Sequence, residues 1–89
     1  MELKKIMVVG AGQMGSGIAQ TAAQAGFEVL LHDLSEELIG RGLGNIGKNL
    51  SRLVEKGKLN EQEREEILGR IQPAPLLEEA READLVIEA

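Results

Sequence analysis

Two short, continuous apolar runs near the start of the chain predict two buried strands. The first covers residues 6–9 and stops at a glycine cluster, and the second covers residues 28–33. Runs that are apolar on both faces are typical of central parallel strands covered by helices. In the segment between the runs, apolar residues recur at helical spacing, at Met14, Ile18, Ala22 and Ala25. Gly26 follows them and is well placed as the C-cap of that helix.

A long helix is predicted after the second strand. Ser35 suits the N-cap, and the two glutamates that follow it suit the positive end of the helix dipole. Apolar residues then recur on one face until the helix ends near Gly57, at Leu38, Ile39, Leu43, Ile46, Leu50, Leu53 and Val54. The same stretch contains Gly40, Gly42, Gly44 and Gly47. Each glycine costs about 0.8–1 kcal/mol relative to alanine in an exposed helix interior, so either another element packs closely there or the helix is soft.

Shorter elements follow, and the whole alternation predicts an α/β fold. Residues 61–69 form a charged helix, 71–74 a weak strand that contains a proline, 76–82 a short helix, and 83–89 a last strand. Alternating strands and helices imply a parallel sheet with right-handed crossovers, and we expect the strand order 3-2-1-4. Because parallel neighbours end at the same edge, Ala89 is expected close to the glycine cluster, at the switch point where open α/β sheets bind ligands.

Composition and charge exclude several classes of protein. The chain has 89 residues, enough for one small domain, and no cysteine, which rules out a disulfide framework or a thiolate metal site; we predict no metal site. Its net charge of −5 argues against non-specific binding to nucleic acid or to an anionic membrane. The apolar run after Lys5 is shorter than the about 7–15 residues of a signal core or the about 20 of a membrane helix. These features fit a cytoplasmic protein.

The glycine cluster has the pattern G-x-G-x-x-G, at Gly10, Ala11, Gly12, Gln13, Met14 and Gly15. Alone the pattern is weak, but here it follows an apolar strand and opens a helix, which is the context of a dinucleotide-binding fold of the Rossmann type. The first glycine permits a tight turn, the second lets a pyrophosphate approach the backbone, and the third lets the helix lie close to the strand. The N–H groups of the first helical turn then point at the phosphates.

Asp33 completes the dinucleotide pattern at the end of the second strand. It follows the loop at close to the expected spacing of about 20 residues, where a carboxylate accepts hydrogen bonds from the adenosine ribose. Its charge would repel a 2′-phosphate, and no arginine follows it directly, so we predict NAD in preference to NADP. The alternative is a structural strand-to-helix turn without a ligand.

The residues around the loop resemble a known enzyme family. Residues 10–20, GAGQMGSGIAQ, resemble the start of bacterial 3-hydroxybutyryl-CoA dehydrogenases and of the wider 3-hydroxyacyl-CoA dehydrogenase family. The Met-Gly-x-Gly-Ile-Ala-Gln extension is far more specific than the glycines alone. The resemblance continues at 41–43, 48–50, 53–58 and 84–89, and so covers essentially the whole chain.

The resemblance implies the NAD-binding part of an NAD-dependent oxidoreductase of short-chain acyl-CoA, in fatty-acid or butanoate metabolism. Residues 1–89 would be a partial Rossmann-type, doubly wound domain, cut off after its fourth strand. The family's helical C-terminal domain for substrate and dimerisation would be absent, although the intact enzyme is expected to be a homodimer. In the family the catalytic His–Glu pair comes later in the chain, so the resemblance places no catalytic residue here, and the fragment is expected to be inactive. His32 is read as an ordinary strand-end histidine.

The long second helix carries the residues that the resemblance assigns to coenzyme A. In the family this helix contributes a lysine to the 3′-phosphoadenosine end, and Lys56 occupies that position. A serine often assists it, and here that position is Asn49. From the residues alone, Lys56 is a solvated surface lysine. The glycines at 40, 44 and 47 depart from the larger or helix-favouring residues that are usual at these positions in the family.

Two other functions are compatible with the sequence. A free-standing nucleotide-binding or regulatory module would need the same glycine loop. A related β-hydroxyacid dehydrogenase would share that loop too, but the Gly-Ile-Ala-Gln extension and the Leu-Val-Glu-Lys-Gly-Lys segment at 53–58 speak against it.

Overall fold

A four-stranded parallel sheet forms the centre of the computed structural model, which describes residues 3–89. In chain order, the strands are β1 (Lys5–Val9), β2 (Glu28–His32), β3 (Ile71–Pro73) and β4 (Leu85–Glu88). The helices are α1 (Gln13–Gln24), α2 (Glu36–Glu55) and α3 (Glu61–Gly69), and a short 3-10 helix covers Leu77–Glu82. The strand order is β3-β2-β1-β4, which confirms the predicted fold class and topology.

The register of the sheet brings the ends of three strands to one edge. β1 pairs in parallel with β2, Val9 opposite His32, and with β4, Val9 opposite Glu88. The Gly10 amide donates to the His32 carbonyl at 2.8 Å, and the Ala89 amide donates to the Val9 carbonyl at 2.9 Å. Ala89 therefore lies beside the glycine loop, as the topology predicts.

Most of the core lies on one face of the sheet, beneath α1, α2 and α3. Ile6, Val8, Val29 and Leu31 of the sheet pack there with buried residues of all three helices. On the opposite face Met7, Leu30 and Ala74 form a smaller cluster, against which Ala80 of the 3-10 helix and Ala83 directly after it pack. No helix among residues 3–89 is long and apolar enough to cross a membrane.

The buried face of α1 differs from the predicted face. Of the predicted positions, Met14 is 70% exposed and Ala25 is exposed, whereas Ile18 and Ala22 are half-buried and pack against the core. The helix instead buries its small residues, Gly15, Ser16, Ala19 and Ala23. Small side chains let the helix approach the sheet closely, so close packing outweighs apolar volume here. The face with Met14 and Ile18 lines an apolar groove of about 590 Å³ together with Phe27.

The long helix matches its prediction, including both ends. The Ser35 hydroxyl accepts from the Leu38 amide at 3.2 Å, and Gly57, with φ of +74°, follows the last residues of the helix. Ile39, Ile46 and Leu50 are buried on the predicted face.

The four glycines of α2 differ in what surrounds them. A Cβ at Gly42 would meet Ala11 and Ser16. A Cβ at Gly40 or Gly44 would have no neighbour within 4 Å among residues 3–89, and one at Gly47 would only touch the Arg64 guanidinium at 3.6 Å. Close packing thus accounts for Gly42, and nothing in the structure explains Gly40 or Gly44.

Candidate functional site

The loop between β1 and α1 needs glycine at its first and third glycine positions. Gly10 has φ of +111°, a conformation that side chains rarely adopt, and a Cβ there would lie 3.0 Å from the Ala89 carbonyl oxygen. A Cβ at Gly15 would overlap the Gly10 carbonyl oxygen. These contacts draw the first turn of α1 against the end of β1, as the motif predicts.

Gly12 differs, because no atom of residues 3–89 fills the space beside it. A Cβ at this position would have no neighbour within 4 Å, and Gly12 is exposed. Sterically the protein itself therefore does not require glycine here. The bare backbone leaves a surface that a ligand can approach, and this is the role that the motif assigns to the second glycine.

Backbone amides at the N-terminus of α1 have no hydrogen-bond partner in the part of the chain that the structure describes. Ser16 is the first residue of this helix whose amide is paired, with the Gly12 carbonyl at 2.8 Å. Within residues 3–89 no side chain caps α1 and no acid lies in its first turn, whereas α2 and α3 have the caps Ser35 and Asn60 and acids in their first turns. The amides of Gln13 to Gly15 are therefore available to an anion, and the helix dipole favours one.

Asp33 lies directly beside this loop. One carboxylate oxygen accepts from the Ala11 amide at 2.8 Å and the other from the Leu34 amide at 2.6 Å. These two hydrogen bonds, first that from Ala11, lower the pKa of Asp33, against an opposing effect of burial and with a small contribution from the charge of His32. Asp33 is thus held as an anion next to the open end of α1.

This geometry changes the role of one predicted contact. Ala11 is buried, and its amide is engaged by Asp33, so it is not free for a phosphate. The Ser16 hydroxyl donates to the Ala11 carbonyl at 2.9 Å, which fixes the same residue through its other backbone polar group. Ala11 therefore orients Asp33, and Gly12, Gln13, Met14 and Gly15 remain the loop residues whose amides have no hydrogen-bond partner among residues 3–89.

Three features near the site were not predicted from the sequence. Leu34, directly after Asp33, is 93% exposed. The only sign of it in the sequence is an apolar residue in the short loop between Asp33 and the helix cap Ser35. The hydrogen bond from the Ser16 hydroxyl to the Ala11 carbonyl, 5 residues away, has no distinct signal in the sequence. The packing of Gly42 against the loop is one of the two explanations that the sequence left open for the glycines of α2. His32 is buried, and its Nδ1 donates to the Ala74 carbonyl at 2.7 Å, which ties β2 to the segment after β3.

The two residues predicted for coenzyme A lie on α2 but not together. Asn49 donates to the Gln20 side chain at 3.3 Å. It lines a polar groove of about 380 Å³ between α1 and α2, whose other lining residues are Gln13, Ser16, Asn45, Lys48 and Arg52. Lys56 is the exposed C-cap, about two helical turns further along. The groove carries two cations and no carboxylate, so its charge suits an anion.

Comparison with known proteins assigns the family. Residues 5–89 match the sequence model described as "3-hydroxyacyl-CoA dehydrogenase, NAD binding domain". The chain belongs to the 3-hydroxyacyl-CoA dehydrogenase family. The matched domain is the NAD-binding one, which supports NAD as the cofactor and confirms the resemblance seen in residues 10–20.

Individual relatives agree with this assignment. The chain is 55% identical, over its whole length, to a probable 3-hydroxybutyryl-CoA dehydrogenase of Bacillus subtilis, of which it covers 31%. It is 45% identical to the 3-hydroxybutyryl-CoA dehydrogenase of Bradyrhizobium diazoefficiens, with 97% of the chain and 29% of the relative covered. The crystal structure of (S)-3-hydroxybutyryl-CoA dehydrogenase from Ralstonia eutropha superposes with a TM-score of 0.96 at 35% identity, covering 99% of this chain and 31% of that one. The chain thus spans about a third of the length of these relatives.

Proposed function

We propose that this chain is the NAD-binding part of an enzyme that oxidises the 3-hydroxyl of a 3-hydroxyacyl-CoA, with 3-hydroxybutyryl-CoA as substrate. The names of the relatives support the substrate class. The observation that carries the proposal is the pairing of an uncapped helix N-terminus with Asp33, held 2.8 Å from the loop amide of Ala11. Phosphates and a ribose need these two groups side by side.

In this proposal, the free amides at Gly12 to Gly15 bind the pyrophosphate and Asp33 binds the adenosine ribose. Each Asp33 oxygen already accepts one backbone amide, but a carboxylate offers about four acceptor sites, so two remain for the ribose hydroxyls. The negative charge of Asp33, which the Ala11 and Leu34 amides stabilise, would repel a 2′-phosphate. This is the reason for the preference for NAD over NADP.

NAD, when bound, supplies the hydride acceptor, and this chain supplies binding and orientation. The reaction also needs a base for the hydroxyl proton. The only histidine is unsuited, since it is buried and its Nδ1 is engaged with the Ala74 carbonyl. We therefore expect the 89-residue chain to be inactive, and assign proton transfer to residues outside it.

The proposal extends to the acyl-CoA and to the intact enzyme. Asn49 and Lys56 would contact the 3′-phosphoadenosine end of coenzyme A, and the groove beside Asn49 has the charge to support such a contact. The intact enzyme would be a cytoplasmic homodimer in short-chain fatty-acid or butanoate metabolism.

Titration calorimetry of the chain with NAD and with NADP tests the cofactor site. We expect saturable binding of NAD and at least tenfold weaker binding of NADP, because about 1.4 kcal/mol of charge repulsion suffices for that ratio. Equal affinity for NAD and NADP would show that Asp33 does not contact the adenosine ribose. The predicted inactivity is tested by an assay for NADH oxidation in the presence of acetoacetyl-CoA. Activity of the 89-residue chain in this assay would contradict the prediction.

A further inference from the structure

The contact between α2 and the glycine loop is made by a residue without a side chain. An added Cβ at Gly42 would lie 2.8 Å from the Ala11 carbonyl oxygen, 3.0 Å from the Ala11 Cβ and 3.0 Å from the Ser16 hydroxyl oxygen. Gly42 is buried between Ile39 and Ile46, which hold this part of α2 in the core. The helix therefore abuts the backbone of the loop with no room for a methyl group.

The atoms on the other side of this contact cannot yield easily. One is a backbone carbonyl, and the Ser16 hydroxyl donates to that carbonyl at 2.9 Å in a buried hydrogen bond. The peptide that carries this carbonyl is adjacent to the Ala11 amide, which donates to Asp33 at 2.8 Å. Displacement of Ala11 would therefore be transmitted to Asp33.

We infer that Gly42, together with Ser16, is a positioning residue for the cofactor site: the two fix the backbone of Ala11 at its carbonyl, so that its amide holds Asp33 in the orientation that binds the ribose. This inference rests on the proposed function for its ligand. It also explains a glycine that is unfavourable for helix formation, and it makes the selectivity of the site depend on a helix residue that does not contact the cofactor.

The helix provides its own matched controls. Gly40 and Gly44 are exposed, and a Cβ at either would have no neighbour within 4 Å. Gly40→Ala and Gly44→Ala therefore add the same methyl group to the same helix without touching the loop. Both should raise the unfolding temperature, because alanine is the better helix former.

Two measurements test the inference in the 89-residue chain: NMR titration of the Asp33 carboxyl and calorimetric titration with NAD. In Gly42→Ala we expect the pKa of Asp33 to rise toward its ordinary value and NAD to bind about tenfold more weakly, the lower limit for loss of a hydrogen bond to a charged group. Gly40→Ala and Gly44→Ala should have the same Asp33 pKa and the same NAD affinity as the parent. Gly42→Ala could instead lower stability and leave the Asp33 pKa and the NAD affinity at the parent's values. This result would show that the added methyl group displaces α2 and not Ala11, and would overturn the inference.

The experiment also distinguishes failure of the parent to bind NAD from failure of the Gly42→Ala variant to fold. If the parent does not bind NAD, the proposed function fails for this chain, while the Asp33 titration still decides the role of Gly42. If Gly42→Ala does not fold, Ser16→Ala removes the hydroxyl that fixes the Ala11 carbonyl without adding any atom. It should raise the Asp33 pKa and weaken NAD binding, and an unchanged pKa and affinity in this variant would overturn the inference.

Discussion

Replacement of Asp33 is the most direct test of the site, because this side chain has both a structural and a proposed binding role. Asp33→Ala removes the acceptor for the Ala11 and Leu34 amides, at 2.8 and 2.6 Å, together with the proposed ribose contact. Asp33→Asn removes the charge and the acceptor for the Leu34 amide, but its one amide oxygen can still accept from Ala11. The pair of variants therefore compares loss of the charge with loss of the whole contact to the loop.

The expected size follows from these contacts. A hydrogen bond to a charged group contributes about 1.5–3 kcal/mol, so Asp33→Ala should weaken NAD binding by about 10- to 150-fold. Asp33→Asn should lose less for NAD, because the loop contact is retained. In both variants the preference for NAD over NADP should shrink or disappear, since no carboxylate remains to repel a 2′-phosphate. Titration calorimetry with both dinucleotides gives the four affinities.

Asp84 provides a matched control at the opposite edge of the sheet. One of its carboxylate oxygens accepts from the backbone amides of Lys4 and Lys5, at 2.9 and 3.0 Å, so it too is an aspartate held by two amides. Asp84→Ala should change stability without changing the ratio of NAD to NADP affinity. If NAD affinity were equal in the parent and in Asp33→Ala, or if Asp84→Ala caused the same loss, the reasoning about Asp33 would be refuted.

Three further predictions concern the stability of the fold. Gly15→Ala places a Cβ on the Gly10 carbonyl oxygen, so we expect a loss of unfolding free energy of about 3 kcal/mol or more and no NAD binding, measured by urea unfolding and calorimetry; wild-type stability would contradict the packing described for the loop. Ser35→Ala removes the N-cap of α2 and should cost about 1 kcal/mol with NAD affinity unchanged, and a null effect on stability would show that the cap is not needed. Hydrogen bonds from backbone amides lower the pKa of both Asp33 and Asp84 in the folded chain, so their contribution to stability is present above the ordinary aspartate pKa of about 3.9 and is lost as the pH falls below it. Thermal unfolding between neutral pH and pH 3 should show this loss, and it should be smaller in Asp33→Asn/Asp84→Asn; an equal pH dependence in the double variant would refute the assignment.

The sequence by itself determined the order of the elements and the location of the site. The continuous apolar runs at 6–9 and 28–33 identify central strands because both faces of such strands are covered. The cap at Ser35 and the glycines at 10 and 15 are local requirements of backbone geometry and close packing, which depend on few neighbours. The topology then follows, since parallel strands need crossovers of one hand.

Only the tertiary structure decided which face of α1 is buried and which glycine of α2 matters. Periodicity favours Met14 and Ile18, but Ile18 is only half-buried and the residues of α1 that are fully buried are all small. The space between helix and sheet that selects them is set by contacts between distant segments. For the same reason Gly42 cannot be distinguished from Gly40 or Gly44 in the sequence: the Ala11 carbonyl that it meets lies on another element. The sequence predicts Ala11 and Asp33 as cofactor contacts, and only the folded chain shows that the Ala11 amide donates to the Asp33 carboxylate.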